Sequence, residues 1–201
     1  MNEEISMRTE SGYLISSNKE RCSILIRDSD LSANDMIDIF ISLHLVLEVS
    51  LNAFFRNLSL LSIKKDVDTF EIIKNVDSVN FIDKTIMFIY NSKFNFTSEE
   101  ELREATRYHS IIGNLKDFSA MRNQLLHGHA ISTVFDGRTN RHSRLKQNIN
   151  LENLKRHILN FQFIFEGMRF YLDKLDSPLT ASGKENFKET YLNDTFLPRL
   201  R

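Results

Sequence analysis

The spacing of apolar residues along the chain predicts a protein built mainly from long helices. Over residues 37–58 apolar side chains fall on nearly every face of a helix, and over residues 151–175 they recur at helical spacing, which is the pattern of a helix with a buried face. Ser32, followed by Asp35, is a capping pair that marks the start of the first segment. Because this segment is apolar on nearly every side, it predicts a central, heavily buried helix.

Polar residues distinguish this central helix from a membrane span. A helix that crosses a bilayer needs about 20 consecutive, mainly apolar residues. The segment is interrupted well before that length by Asp38, His44, Glu48, Asn52 and Arg56. We therefore expect the core helix of a protein that does not enter a membrane.

Two further helical regions are predicted between these segments. Residues 68–90 have the apolar spacing of one helix or of two short ones. At Ser98, a serine followed by three glutamates forms a capping box with acidic residues in the first turn. This helix is predicted to run to about His127, with a break near Gly113-Asn114 and a stop at Gly128.

The N-terminal region has a different pattern. Two short apolar runs, Tyr13-Leu14-Ile15 and Cys22-Ser23-Ile24-Leu25-Ile26, flank the polar residues 16–20. Apolar runs of this length around a polar turn are typical of a β-hairpin. We therefore predict that residues 1–30 form a short hairpin arm.

The C-terminal region completes the predicted organisation. Ser177-Pro178 ends the last helix, and residues 177–201 are predicted to be a polar tail. Its apolar contacts with the rest of the protein would be Phe187, Tyr191, Phe196 and Leu197. The sequence thus predicts an all-α domain, a bundle of four to five helices over residues 31–176, with a terminal arm and a tail.

Composition agrees with a helical protein and limits how it can bind nucleic acid. The chain has 41% hydrophobic residues, with 16 Phe but only 6 Gly and 2 Pro, which suits helices better than turn-rich sheets. Its 26 basic and 27 acidic residues give a formal net charge of -1. This balance excludes a uniformly basic surface, so any binding of RNA must be local.

Cysteine usage and the N-terminal residues predict a cytoplasmic protein. The single Cys22 cannot form an internal disulfide. The first residues include Glu3, Glu4 and Arg8 and lack the apolar core of a signal peptide. We therefore expect a reducing environment, in which Cys22 acts as a small buried apolar residue.

The most informative stretch is Met121-Arg122-Asn123-Gln124-Leu125-Leu126-His127-Gly128. A ribonuclease that works without metal needs a base for the ribose 2′-OH, an acid for the leaving 5′-oxygen, and positive charge on the phosphate. His127 can transfer the protons, and Arg122 can supply the charge. Asn123 lies one helical turn before His127, where its amide can orient the imidazole.

The spacing of these residues points to more than one helix at the site. Five residues advance a helix by about 140° beyond a full turn, so Arg122 and His127 do not share a face. Two helices brought together, as at a dimer cleft, remove this difficulty.

The helical pattern together with Arg122, Asn123 and His127 resembles the HEPN superfamily (higher eukaryotes and prokaryotes nucleotide-binding domains) over about residues 34–175. The resemblance implies an all-α bundle that dimerises so that two motifs face one cleft. Many members cut RNA in toxin-antitoxin, phage-defence and CRISPR settings. It therefore implies a metal-independent endoribonuclease that forms a homodimer, needs no cofactor, and is regulated by an antitoxin or another protein. Other members are non-catalytic nucleotide-binding or protein-interaction modules, and this alternative stays open.

Other candidate residues have competing interpretations. Four basic residues follow the motif against one acid, Asp136, and would either guide a phosphate backbone or form a solvated loop: Arg138, Arg141, Arg144 and Lys146. His44 and Glu48, one turn apart, would either support the cleft or form a satisfied buried pair. His127 and His129 lack the further ligands of a usual zinc site, so no metal site is predicted.

Overall fold

The computed structural model describes residues 2–27, 30–62, 83, 98–126, 135–136, 139–140, 150–174 and 179–198. These residues form an all-α fold with one minimal strand pair. The helices are α1 (Asn2–Ile26), α2 (Ala33–Ser62), α3 (Glu99–His109), α4 (Ile111–Leu126), α5 (Leu151–Lys174) and α6 (Ala181–Tyr191). The strands β1 (Phe135–Asp136) and β2 (Thr139–Asn140) are antiparallel, with Phe135 opposite Asn140.

Helix α2 begins where the sequence predicts. The backbone N–H of Ser32 donates to the Asp35 carboxylate at 2.8 Å, and the N–H of Asp35 donates to Ser32 Oγ at 3.2 Å. Each side chain thus satisfies a backbone group that the first turn of a helix leaves without a helical partner. The capping prediction is confirmed.

The core forms around α2 and α5. Helix α2 contacts α1, α4, α5 and α6, so it packs against several helices at once, as its apolar pattern predicts. The α2 side chains that are at most 2% exposed include Ile39, Phe40, Leu43, Val46, Leu47, Leu51 and Phe54. Helix α5 adds Phe161, Ile164 and Phe165, which are fully buried. Its observed range, Leu151–Lys174, agrees with the predicted helix over residues 151–175.

Helix α2 is also the segment that the sequence analysis distinguished from a membrane span. By length and composition alone, Ala33–Arg56 is apolar enough to cross a bilayer, with a mean hydropathy of 1.6. The core helix of a soluble protein meets the same criterion, and 56% of this stretch is buried inside the fold. The apolar character of α2 is therefore used, at least in part, for packing against its neighbours.

The predicted N-terminal hairpin is wrong, because residues 2–26 form the helix α1. Ile15 and Cys22 are seven residues apart, which places them on one helical face. They are 2% and 0% exposed, and Cys22 belongs to the main core cluster. Burial raises the pKa of the Cys22 thiol to about 12, so this side chain is neutral. Packing against α2 outweighs the local strand preference of the two apolar runs.

The predicted break in the third helical region is displaced by three residues. Helix α3 ends at His109 and α4 begins at Ile111, so Gly113 lies inside α4. The hydroxyl of Ser110 donates to the carbonyl oxygen of Arg107 at 2.7 Å. A serine side chain that binds a backbone carbonyl competes with the helical hydrogen bonds, which accounts for the break at Ser110.

The C-terminal region contains a helix that the sequence analysis did not predict. Thr180 caps α6, since its Oγ1 accepts the N–H of Gly183 at 3.1 Å. Phe187 and Leu197 are 7% and 5% exposed, so the predicted docking contacts of the tail include two buried side chains. Ser50 of α2 donates to the carbonyl oxygen of Tyr191 at 2.6 Å, which fixes the end of α6 against the core.

The predicted helical region over residues 68–90 lies outside the described residues, apart from Asp83, which is helical.

Candidate functional site

The described part of the motif lies in the C-terminal part of α4. Met121 is 8% exposed and packs in the core, as does Leu115 earlier in the helix. The next two residues reach the surface, with Arg122 partly exposed and Asn123 exposed. The guanidinium of Arg122 donates from Nη1 to Asn123 Oδ1 at 3.2 Å. The core contacts of α4 therefore present a cation and an amide side by side at the surface.

His44 of α2 lies beneath this surface. Its side chain is 3% exposed, and α2 packs against α4. Burial lowers the pKa of His44 to about 4, and the positive charge of Arg122 contributes to the same shift. The structure therefore brings His44 into the electrostatic environment of Arg122, and His44 is neutral at physiological pH.

Glu48 is the second predicted supporting residue. Its Oε2 lies 3.7 Å from Nδ1 of His44, one helical turn along α2. Burial, with a further contribution from the charge of Arg122, lowers the pKa of His44 to about 4, so the imidazole is neutral. The contact is therefore between a neutral imidazole and a partly exposed carboxylate, and it is not a buried ion pair.

The remaining candidate residues lie outside the described residues. His127 follows Leu126, the last residue of α4, and Gly128 and His129 come next. The basic residues Arg138, Arg141, Arg144 and Lys146 are also outside the described part of the chain. Their roles stay predictions made from the sequence.

The described part of the chain contains no group of three or more His, Cys, Asp or Glu side chains that could hold a metal ion. The expectation that the site works without metal is based on the chemistry of Arg122 and His127, and it stays a prediction.

The sequence predicts His44 as a residue that would support the cleft, but it does not predict that the charge of Arg122 acts on His44. The spacing of His44 and Glu48 is visible in the sequence because both are on one helix. The relation of His44 to Arg122 joins two helices that are distant in the chain, and it depends on how α4 crosses α2. No local pattern carries that information.

No family model matches this chain, and no curated protein or solved structure shows significant similarity to it.

Proposed function

We propose that this protein is a metal-independent endoribonuclease of HEPN type, which cuts RNA by attack of an internal 2′-OH at a cleft formed by two copies of the chain. It acts in the cytoplasm in a toxin-antitoxin or phage-defence setting. Its activity is restrained by an antitoxin or another regulatory protein, because an unrestrained ribonuclease would damage the RNA of its own cell.

The observation that carries the proposal is the position of Arg122 and Asn123 on α4. Both side chains reach the surface at the end of a helix anchored in the core, and they are joined by a hydrogen bond of 3.2 Å. A guanidinium presents up to five N–H donors in a planar fork that suits phosphate oxygens. Arg122 therefore has the chemistry and the exposure to bind the phosphate at the scissile bond.

The neutral state of His44 supports this role of Arg122. A protonated imidazole near the guanidinium would repel it, whereas the neutral ring of His44 does not. Arg122 is partly exposed, so its charge is accessible to a phosphate from the solvent.

Proton transfer in the proposed reaction belongs to His127. One histidine accepts the proton of the 2′-OH as that oxygen attacks the phosphorus, and a second histidine donates a proton to the departing 5′-oxygen. The two histidines come from the two copies of the chain. The products are a 2′,3′-cyclic phosphate and a free 5′-OH, so atoms and charge balance without a metal or a water nucleophile.

A substrate that lacks the attacking hydroxyl tests this mechanism. We expect an RNA oligonucleotide to be cut at a defined phosphodiester, and the same oligonucleotide with one 2′-deoxy nucleotide 5′ to that bond to resist cleavage there. The reason is that the nucleophile has been removed while every phosphate contact remains. Mass spectrometry of the products measures both the position of cleavage and the cyclic phosphate.

The matched control is an oligonucleotide with the 2′-deoxy substitution one nucleotide further from the cleaved bond, which should be cut normally. Cleavage of both substituted oligonucleotides at the original bond would contradict internal 2′-OH attack and favour hydrolysis by water.

A further inference from the structure

A polar groove lies along α5, away from the residues of the motif. Helices α3 and α5 run antiparallel, since Glu101 contacts Lys174 at one end and Arg107 lies 3.8 Å from Glu166 nearer the other. Near the end of α3 there is an open cleft with a volume of about 810 Å³. It is lined by residues of α5, by Arg107, Ser110 and Asn114 at the α3–α4 turn, and by Asp194 of the C-terminal segment. This volume is in the range of small-molecule sites.

The charges that line this groove are balanced. Arg107 lies within 4 Å of Glu166, and Arg169 lies 3.2 Å from Asp194. Two cations are therefore matched by two carboxylates, which does not favour an isolated phosphate. The other polar lining is neutral and rich in amides: Ser110, Asn114, Asn160 and Gln162. A flat, neutral, polar ligand suits these groups better than an anion.

Arg107 forms a flat platform at the groove. Its guanidinium lies 5.5 Å from the centre of the Phe163 ring. It also forms surface ion pairs with Glu104 at 3.6 Å and Glu166 at 3.8 Å, which favour this position of the guanidinium. The Arg107 side chain is still 53% exposed. A guanidinium held in this way is a stacking surface, because little side-chain freedom is lost when a ring packs on it.

We infer that this groove binds a nucleobase, which stacks on Arg107 and forms hydrogen bonds through its edge to the amides of Asn114 and Asn160. Unpaired bases are recognised in proteins by stacking on aromatic rings or arginine planes and by side-chain hydrogen bonds to their edges. Asparagine offers a donor and an acceptor together, which matches the edge of a base. The inference deepens the proposed function and rests on it for the choice of RNA as the source of the base.

Binding is measured separately from cleavage. The probes are fluorescent 2′-O-methyl RNA hexamers, each of a single base, and the four free ribonucleosides as competitors. The 2′-O-methyl group blocks internal attack, so anisotropy reports binding alone. Competition by a nucleoside would assign the site to a free base or nucleoside, and binding of hexamers without such competition would assign it to a base within a strand.

Three variants decide the assignment. Arg107→Lys keeps the charge but removes the plane, and we expect at least one hexamer to bind about fivefold or more weakly. Asn160→Ala is expected to weaken binding by about two- to tenfold through a lost hydrogen bond. Phe170→Leu is the matched control. Phe170 lies on α5 and is partly buried, and the ammonium of Lys174 is 5.9 Å from its ring centre, but Phe170 does not line the groove. The Phe170→Leu variant should therefore bind every probe as tightly as wild type does.

Failure of this inference is distinguishable from failure of the proposed function. The absence of binding by every hexamer and nucleoside, or equal binding by wild type and Arg107→Lys, would overturn the nucleobase site even if RNA is cut. Binding that depends on Arg107 in a protein that never cuts RNA would support the nucleobase site and overturn only the ribonuclease. Thermal unfolding of each variant confirms that the fold is kept.

Discussion

Replacing His127 with alanine is expected to lower the rate of RNA cleavage by about 10²- to 10⁴-fold, the range that a positioned acid-base group supplies. His127 follows the last residue of α4 in sequence, and the negative end of a helix dipole favours a protonated imidazole. The substitution removes both the base and the acid of the proposed reaction, since each copy contributes the same histidine. Initial rates on one defined RNA substrate measure the effect.

The matched control for this variant is His129→Ala. His129 is the same residue type two positions further along the chain, and it lies outside the motif. We expect the cleavage rate of this variant to remain within about threefold of wild type, since the proposed reaction gives His129 no role. Equal losses in the two variants would show that the segment as a whole, and not His127, is needed.

Acidification is expected to destabilise the protein by several kcal/mol. Both His44 and His157 are 3% exposed. Burial lowers the pKa of each from 6.5 to about 4. For His157 the charge of Arg156 adds to this effect and that of Asp117 opposes it. The His157 and Phe40 rings pack in a T-shaped arrangement with 4.8 Å between their centres, so His157 lies in the apolar core whose burial lowers its pKa.

The sign of the effect follows from these lowered pKa values. Above pH 6.5 both histidines are neutral whether the chain is folded or unfolded, so they add no pH dependence. As the pH falls from 6.5 to 4, the unfolded chain binds protons that the folded chain does not, and the free energy of unfolding decreases. A shift of this size corresponds to about 3 kcal/mol for each histidine, against a total stability of about 5–15 kcal/mol for a typical domain.

Urea unfolding at a series of pH values from 7 to 4 measures this loss. Carboxylates also begin to titrate near the lower limit, so the variant His157→Phe is compared with wild type at each pH. We expect the stability of the variant to fall less steeply, by about 3 kcal/mol over the range. Parallel curves for the two proteins would show that His157 is not a buried neutral residue in the folded state.

The helices that the sequence predicts well are those whose signals are local. The capping pair of Ser32 and Asp35 and the apolar period of α5 involve residues within one or two turns of each other, and the structure bears both out. The N-terminal region shows the opposite case. Its short apolar runs have strand preference, but Ile15 and Cys22 are buried in a helical register against α2. That choice depends on a partner helix, which local reasoning does not include.

The candidate site also has one part that local sequence signals predict and one part that depends on contacts between helices. Arg122 and Asn123 are proposed as site residues from their order in the sequence alone, because the proposed chemistry depends on these residue types. The surroundings of these two residues cannot be predicted from the sequence. The effect of Arg122 on the neutral His44 depends on how α2 and α4 pack against each other. The groove on α5 is also invisible in the sequence, because Arg107 and Asn160 belong to different helices and have no motif in common.

The measurement that tests the central claim most directly is cleavage of RNA by the purified protein in the presence of EDTA. Wild type and Arg122→Ala, each shown to be folded, are incubated with total RNA, and the new 5′-OH ends are mapped. The account predicts defined cleavage by wild type and a loss of about 10²-fold or more in the variant, because positive charge at the phosphate is removed. Equal cleavage by both proteins, or restoration of activity only when a metal ion is added, would contradict a metal-independent ribonuclease built on Arg122.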